Sequence, residues 1–409
     1  MLYKLKGCEK KIRYFFLYLF LLVNIIFTCA SAQTSTQIKL RNMNSIQIDT
    51  WQTYCASEKN YWHSWQDGVK REYQISELPR LNNNFHSGYG FIKDGNLYFR
   101  NLGTGEDFLF KKNSFKKNID KISCPKASWN GYFFKHNKAS GIIQACKISH
   151  PQSCVSITVL PKTSPYVYAE ANNAVIAITN FGDAVIFRDG HWCRTVMIND
   201  VYSCSDKAIM LTKPREIQFY SSIKYQNKTL VGEWPTGRIY EFDGYTLKVS
   251  SLSPPQFSSR INEYEAQSMA NYCGDLFVGY WPYGEIMRMD GHTKKWSLFT
   301  RLFSNPQKNI SLEVIPYKSI LTKSLAFSDL FLEKNKQKLP DSPYFLGQRI
   351  TSLITYEKAL YAVTSNLRSW TPDISINFLT LDQISEYGKI YKISSDGCIT
   401  THGNRQKIN

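Results

Sequence analysis

The sequence is poor in the motifs that carry common catalytic chemistry. Its ten cysteines contain no Cys-x-x-Cys pair, and its seven histidines are scattered, so the ligand spacing of a zinc site is missing. No Gly-x-Ser-x-Gly elbow, His-Glu-x-x-His helix or Gly-rich phosphate-cradling loop occurs, which removes serine-hydrolase, zincin and nucleotidase signatures. No dense acidic loop argues for calcium in a central channel, and no cofactor is expected. Acidic residues are also scarce, 33 against 50 lysines and arginines, for a formal charge of +17. Long apolar runs are confined to the N-terminus, and nothing later in the chain is suited to span a bilayer.

That N-terminus has the three parts of a secretory leader. Lys4, Lys6, Lys10, Lys11 and Arg13 precede the apolar run Tyr14 to Cys29, which ends in the small residues Ala30-Ser31-Ala32. The run is shorter than the ~20 residues of a membrane helix and is interrupted by Asn24. We therefore expect a signal peptide over 1–32 and a secreted domain over 33–409; an uncleaved signal anchor is the alternative. Cys29 lacks the small preceding residues of a lipoprotein site. The leader carries five basic residues and one acidic, so the mature chain keeps a charge of +13. Such a charge raises encounter rates with anionic partners such as acidic glycans, or is simply a Lys-rich solvated surface. The densest stretch, Lys111 to Lys126, has no arginine and little aromatic interleaving, so nucleic acid is not expected as a partner.

Removal of Cys8 and Cys29 leaves eight cysteines, Cys55, Cys124, Cys146, Cys154, Cys193, Cys204, Cys273 and Cys398. In an oxidising compartment these support up to four bridges, with about 105 connectivities open. Sequons at Asn227 and Asn309 agree with a glycoprotein on a secretory route.

Internal similarity organises the rest. Leu230 to Gly244 (LVGEWPTGRIYEFDG) returns 46 to 47 residues later as Leu276 to Gly291 (LFVGYWPYGEIMRMDG). Each reads as strand, tight loop, strand and an Asp-Gly turn, in which Asp-Gly supplies the positive φ angles of a two-residue hairpin. Weaker copies lie at Ala174 to Gly190 and Ala359 to Gly397, and divergent strands at Gly95 to Arg100 and Trp129 to Phe134. Equivalent glycines Gly182, Gly237, Gly284 and Gly388 are separated by 55, 47 and 104 residues, the last near two periods. A period near 50 with several short strands per unit points to an all-β fold, a β-propeller of six or seven four-stranded blades.

In architecture the chain resembles the kelch and WD-type propeller class, on these repeats and without the diagnostic Gly-His, Trp-Asp or double-glycine signatures. The resemblance covers about two-thirds of the mature chain. An irregular segment at 303–347, with a short helix, a degenerate blade or a loop excursion over Ser324 to Lys336, and a long loop at 366–387 interrupt the pattern. The last hairpin ends near Cys398, so a strand from Gln37 to Tyr54 is expected to complete the final sheet, pinned by a Cys55–Cys398 bridge.

In propellers of that class, the loop between second and third strands lies on the face with the channel entrance, where ligands bind. The resemblance puts Glu233 and Trp234 beside Tyr280, Trp281 and Tyr283 there. Aromatic faces stack on sugars or cations and a carboxylate directs hydrogen bonds; the bland reading is that tryptophan before proline plugs the gap between blades. Arg349 would aim a planar cation at an anionic ligand, or tie two blades together. Trp370, on the long loop, is a lid candidate. For a glycosidase, Glu233, Glu263 and Glu265 are the clustered carboxylates. His191 and His292 read as exposed turn residues. Two functions from different classes remain: a noncatalytic propeller binding a glycan, small molecule or protein at the channel entrance, and an extracellular carbohydrate-active enzyme using paired carboxylates. A protein-interaction platform is the third.

Overall fold

The computed structural model describes residues 71–81, 85, 87–118, 122, 126–211, 215, 217–255, 264–304, 347–366 and 381–401, with the backbone of 40–42 and 62–65. All belong to the compact unit Leu40–Asn409. The described residues form twenty-eight strands and one short helix. Three strands precede the first blade: β1 (Leu40–Asn42), β2 (Trp62–Trp65) and β3 (Gln74–Glu77). Blade one is β4 (Gly88–Lys93), β5 (Asn96–Asn101), β6 (Asp107–Lys111) and β7 (Ser114–Lys117). Blade two is β8 (Lys126–Trp129), β9 (Tyr132–Asn137), β10 (Ile142–Lys147) and β11 (Cys154–Thr158). Blade three is β12 (Pro165–Ala171), β13 (Ala174–Thr179), β14 (Ala184–Arg188) and β15 (His191–Ile198), and β16 (Val201–Cys204) follows it.

Blade four is β17 (Gln218–Tyr225), β18 (Lys228–Trp234), β19 (Ile239–Phe242) and β20 (Thr246–Val249). Blade five is β21 (Glu265–Tyr272), β22 (Asp275–Trp281), β23 (Glu285–Met289) and β24 (Trp296–Arg301). Blade six has β25 (Gln348–Tyr356), β26 (Ala359–Asn366) and β27 (Ile390–Ser394), with helix α1 (Leu381–Ser385) between the last two. The final strand is β28 (Cys398–Thr401). Each blade is an antiparallel meander, β16 pairs with β20 so that blades three and four are joined edge to edge, and cores of Val, Ile, Phe and Tyr fill the gaps between adjacent blades. This is the β-propeller expected from the repeat.

Turn chemistry explains the meanders. Asp189-Gly190 has φ of 49° and 79°, the expected two-residue turn. At Asp243-Gly244 only the glycine is positive, φ 90°, and the aspartate instead accepts from the Tyr245 and Thr246 N–H groups at 2.8 and 2.7 Å. Asp290 does the same for His292 and Thr293, at 2.9 and 2.8 Å. The shared shape of these two turns comes from the side chain, because a short carboxylate can satisfy N–H groups two and three residues on. His191 and His292 are exposed in their turns, as expected.

Closure differs from the sequence-based expectation. The strand completing blade six is β3, paired with β27 from Tyr391↔Glu77 to Ser394↔Gln74. The Gln37 to Tyr54 region contributes β1, which pairs in parallel with β8 of blade two. Cys398 is bonded to Cys273, with a Cα–Cα separation of 4.9 Å, which overturns the Cys55–Cys398 pairing. Position along the chain suggested Cys55, but β28 pairs with β2, and that ribbon ends beside the β21–β22 turn bearing Cys273. Cys146–Cys154 and Cys193–Cys204 are hairpin bridges within blade two and between β15 and β16. Among the described residues no helix is long and apolar enough to cross a membrane. The segment Ser324 to Lys336, Cys55 and Cys124 lie outside the described residues.

Blades four, five and six share a joint invisible to composition. Their inner strands carry Ser-x-x-x-Tyr, as Ser221…Tyr225, Ser268…Tyr272 and Ser352…Tyr356. Residues four apart in a strand share a face, here the face toward the next blade. Each serine meets the next inner strand: Ser221 Oγ donates to the Ala266 carbonyl at 2.9 Å and Ser268 Oγ to that of Ile350 at 2.7 Å. Ser352 Oγ accepts from the Gly90 N–H at 3.2 Å. Each tyrosine hydroxyl reaches the next blade's first turn, Tyr225 to the Gly274 carbonyl and Tyr272 to that of Lys358, both at 2.8 Å, and Tyr356 to that of Gly95 at 3.3 Å. Blade six thus meets blade one through the same pair of contacts.

Candidate functional site

The duplicated Trp-Pro loops stand at the same end of adjacent blades, where β18 and β22 finish. Both Trp-Pro peptides are cis. Each loop reaches the start of the next inner strand: Pro235 O accepts from the Tyr264 N–H at 2.6 Å, Thr236 bridges to Tyr264, and Tyr283 bridges to Gln348. Tyr280 OH donates back to the Gly237 carbonyl at 3.0 Å. The rings of Tyr280 and Tyr283 pack on Tyr264 at 6.0 and 5.7 Å.

The aromatic loops are therefore stitched into the seams between blades. Tyr280, Trp281 and Tyr283 are 0, 7 and 5 % exposed, and of the two readings given for these loops the bridges and ring contacts fit the filling of the gap between blades. The physical reason is the parallel bridge to the following strand, which draws each loop over the gap and leaves its rings as filler. Trp234 is half-buried against the core between blades three and four.

Glu233 is buried by its own loop. Its carboxylate accepts from Thr236 Oγ1 at 2.6 Å and from the Thr236 and Arg238 N–H groups at 3.3 and 3.2 Å. Burial pushes its pKa up to about 7, against the lowering effect of those donors. Glu265 differs: its Oε1 accepts from Arg349 Nη2 at 2.6 Å, an ion pair whose side chains are 4 and 8 % exposed and which joins blades five and six. Of the two roles expected for Arg349, the tie between blades is the one this contact fills. Glu233 and Glu265 are each committed to a local partner, one to a loop and the other to a guanidinium. Glu263 and Trp370 lie outside the described residues.

The bulges of the inner strands bring together residues that sequence reasoning missed. Ladders of β12, β17, β21 and β25 each skip one residue, at Tyr166, Tyr220, Gln267 and Thr351. A bulge re-aims the side chain of the extra residue, and these four occupy one level of four successive inner strands. Tyr166 and Tyr220 lie 5.9 Å apart by ring centroid. The Arg349 guanidinium of blade six sits 5.9 Å over the Tyr220 ring of blade four. Blades four and six are separated by blade five, so this contact belongs to the axis of the ring rather than to a seam. Tyr220 OH bonds the half-buried Gln218, and Thr351 Oγ1 bonds Ser365 Oγ. The available signal was a polar or aromatic residue just before each inner-strand serine: Tyr220-Ser221, Gln267-Ser268, Thr351-Ser352.

Among the described residues no group of three or more His, Cys, Asp or Glu side chains could hold a metal ion. No protein-family model matches the chain, and no curated protein does either. Similar solved structures include the soluble aldose sugar dehydrogenase of Escherichia coli, at 10 % identity and TM-score 0.39 over 79 % of this chain and 99 % of that one. The β-propeller domain of Cps50 from Myceliophteria thermophila matches at 10 % identity and TM-score 0.34, over 86 % and 99 %. An extracellular domain of a Bacteroides thetaiotaomicron two-component system matches at 9 % identity and TM-score 0.35 over 75 % of this chain, which spans 32 % of that one. At these scores the similarities say nothing about activity, and the propeller fold rests on the sheets themselves.

Proposed function

We propose that this chain is a secreted, noncatalytic β-propeller that binds a polar, hydroxyl-rich ligand, a glycan or a molecule of similar chemistry, at the axial ring of bulge residues. The observation that carries this reading is the meeting of Tyr166, Tyr220 and the Glu265–Arg349 pair from four inner strands, with Gln267 the bulge residue of the strand that bears Glu265. Tyrosine faces stack on sugar rings, and amide, carboxylate and guanidinium groups direct hydrogen bonds to hydroxyls. The seam loops reach the same strands one residue away, Thr236 at Tyr264 beside Glu265 and Tyr283 at Gln348 beside Arg349. The mature charge of +13 would favour anionic members of the class, and secretion follows from the leader over 1–32.

Hydrolysis is the less supported alternative, because a glycosidase needs one carboxyl group free to protonate and a second free to attack or activate water. Glu265 faces a guanidinium and Glu233 its own loop. A glycan array followed by calorimetry on the mature chain tests the proposal. Binding that weakens at least tenfold in both Tyr220→Ala and Gln267→Ala, with no product released, is the expected result. Absence of binding, binding indifferent to both variants, or turnover abolished by Glu265→Gln would each sink it. N-terminal sequencing of the exported protein should begin at Gln33; a retained leader would replace secretion by anchoring.

A further inference from the structure

One turn of blade five fastens both ends of the ring. The turn Tyr272-Cys273-Gly274-Asp275 joins β21 to β22, and each of its residues holds a different piece of chain. Asp275, fully buried, accepts from Tyr73 OH at 2.7 Å, Arg288 Nε at 2.7 Å and the Gly291 N–H at 2.8 Å, and also pairs with Arg71. Arg71 reaches Asp290 as well, at 3.0 Å. The Tyr73 ring lies edge-on to Phe277 and Phe299, at 5.7 and 5.4 Å, with the Arg288 guanidinium 5.1 Å from its centre. Cys273 is bonded to Cys398. Tyr272 OH accepts from the Ser395 N–H at 3.1 Å while donating to Lys358. Gly274 O receives Tyr225 of blade four.

The segments held there are those that close the propeller. The strand β3 is four residues long with every side chain exposed, so its ladder with β27 is a weak fastening by itself. Its upstream neighbours Arg71 and Tyr73 dock on Asp275. The β2–β28 ribbon pairs Trp65 with Cys398, so the disulfide ties that ribbon to the same turn. Closure of blade six therefore depends on an anchor in blade five with two separate fasteners, one ionic and one covalent.

We propose that Cys273–Cys398 is a redox-controlled fastener: its reduction releases the β2–β28 ribbon from blade five while the Asp275 knot keeps β3 in the ring. Cys398 is half-buried and Cys273 is buried, so a dithiol reductant reaches the Cys398 sulfur first. Its thiolate attacks that sulfur, the S–S bond breaks, and Cys273 leaves as a thiolate that takes up a proton. The second reductant thiol then displaces Cys398, also recovered as a thiol, and the reductant is left as a disulfide. Two electrons and two protons have moved to the protein. The ribbon then keeps its own ladder and the Ser395–Tyr272 hydrogen bond just before β28, without a covalent tie to blade five.

Amide hydrogen exchange on the mature chain tests this. In the double variant Cys273→Ser, Cys398→Ser, exchange at 62–65 and 398–401 should quicken at least tenfold while 74–77 keeps its protection. Adding Asp275→Asn should then release 74–77 as well. Folded wild-type protein reduced with dithiothreitol and alkylated should reproduce the first pattern, which covers the case in which the variant fails to fold. Unchanged exchange in the ribbon, or release of β3 together with it on loss of the disulfide alone, would overturn the proposal.

Discussion

Blades four to six and blades two and three solve the same problem, holding one sheet against the next, with different chemistry. In the first arc each joint is a pair of directed hydrogen bonds, a serine at the bulge and a tyrosine four residues on, repeated from Ser221 to Tyr356. Between blades two and three the joint is aromatic: Phe134, Phe187 and Trp192 pack with centroids 5.0 to 5.9 Å apart. There the strands are stapled individually by Cys146–Cys154 and Cys193–Cys204. A repeated hydrogen bond fixes the distance and register between blades, whereas an aromatic seam tolerates sliding and leaves each hairpin to secure itself. The proposed axial site lies mostly on the first arc, with only Tyr166 from blade three, so its geometry is set by the more exact of the two joints.

The largest test of that difference is covalent. Loop-closure entropy scales with the residues enclosed, so Cys273–Cys398, with a separation of 125, should stabilise by about 5 kcal/mol, and Cys146–Cys154, with a separation of 8, by about 2.5 kcal/mol. Serine pairs at each, compared by urea denaturation, should keep that order. Equal losses would mean that blade five is no special anchor.

Next come two glycines. A Cβ at Gly232 would lie 2.4 Å from the Ala266 carbonyl oxygen and 2.5 Å from Ser221 Oγ, and one at Gly279 would lie 2.6 Å from both Ser268 Oγ and Ile350 Cβ. Both are the residues opposite the serine in the ladder, so Ala substitution prises the joint apart and should cost about 3 kcal/mol by overpacking. Blade six has Val363 at that place, opposite Ser352, and Val363→Ala should cost less, about 1 kcal/mol, with no loss of the joint.

The third test is pH. Glu233 has its folded pKa raised to about 7 by burial, above the ordinary 4.5. The folded state then holds the proton more tightly than the unfolded state, so this group's contribution is most favourable below pH 4.5 and is lost as pH rises through 7. The full swing is on the order of 3 kcal/mol. Glu233→Gln should flatten the difference between stabilities measured at pH 4.5 and pH 8; an unchanged slope would show that the carboxylate ionises in place without penalty.

How much of this was legible follows from which signals survive in one dimension. The doubled Leu230 to Gly244 pattern announced adjacent blades because strand alternation and turn residues are local. The seam position of Trp281 and Tyr283 was not legible, since an aromatic loop looks the same whether it faces a channel or a neighbour; the deciding contact, Tyr283 with Gln348, joins residues 65 apart. Nor was β3, because Gln74 to Glu77 has no apolar face to announce a strand. The Ser-x-x-x-Tyr spacing was present in plain sight at Ser221, Ser268 and Ser352, masked by the more conspicuous Trp-Pro pairs.

The smallest predicted effect discriminates most sharply between the two arcs. Deleting one hydroxyl from a joint removes a hydrogen bond worth about 1 kcal/mol, so Tyr225→Phe should lose that much and Tyr356→Phe, whose contact is longer at 3.3 Å, less. Tyr272→Phe should lose about 2 kcal/mol, because its hydroxyl also satisfies the Ser395 N–H, which would be left unpaired. Tyr168, buried between blades two and three with its ring on Phe134, holds its place by packing, so its phenylalanine variant should be close to neutral. Denaturation midpoints for the four variants give the answer directly: a ranking of 272, 225, 356 and 168 supports directed joints in one arc and packed joints in the other. A loss at 168 matching that at 272 would show that the two arcs are held by the same force.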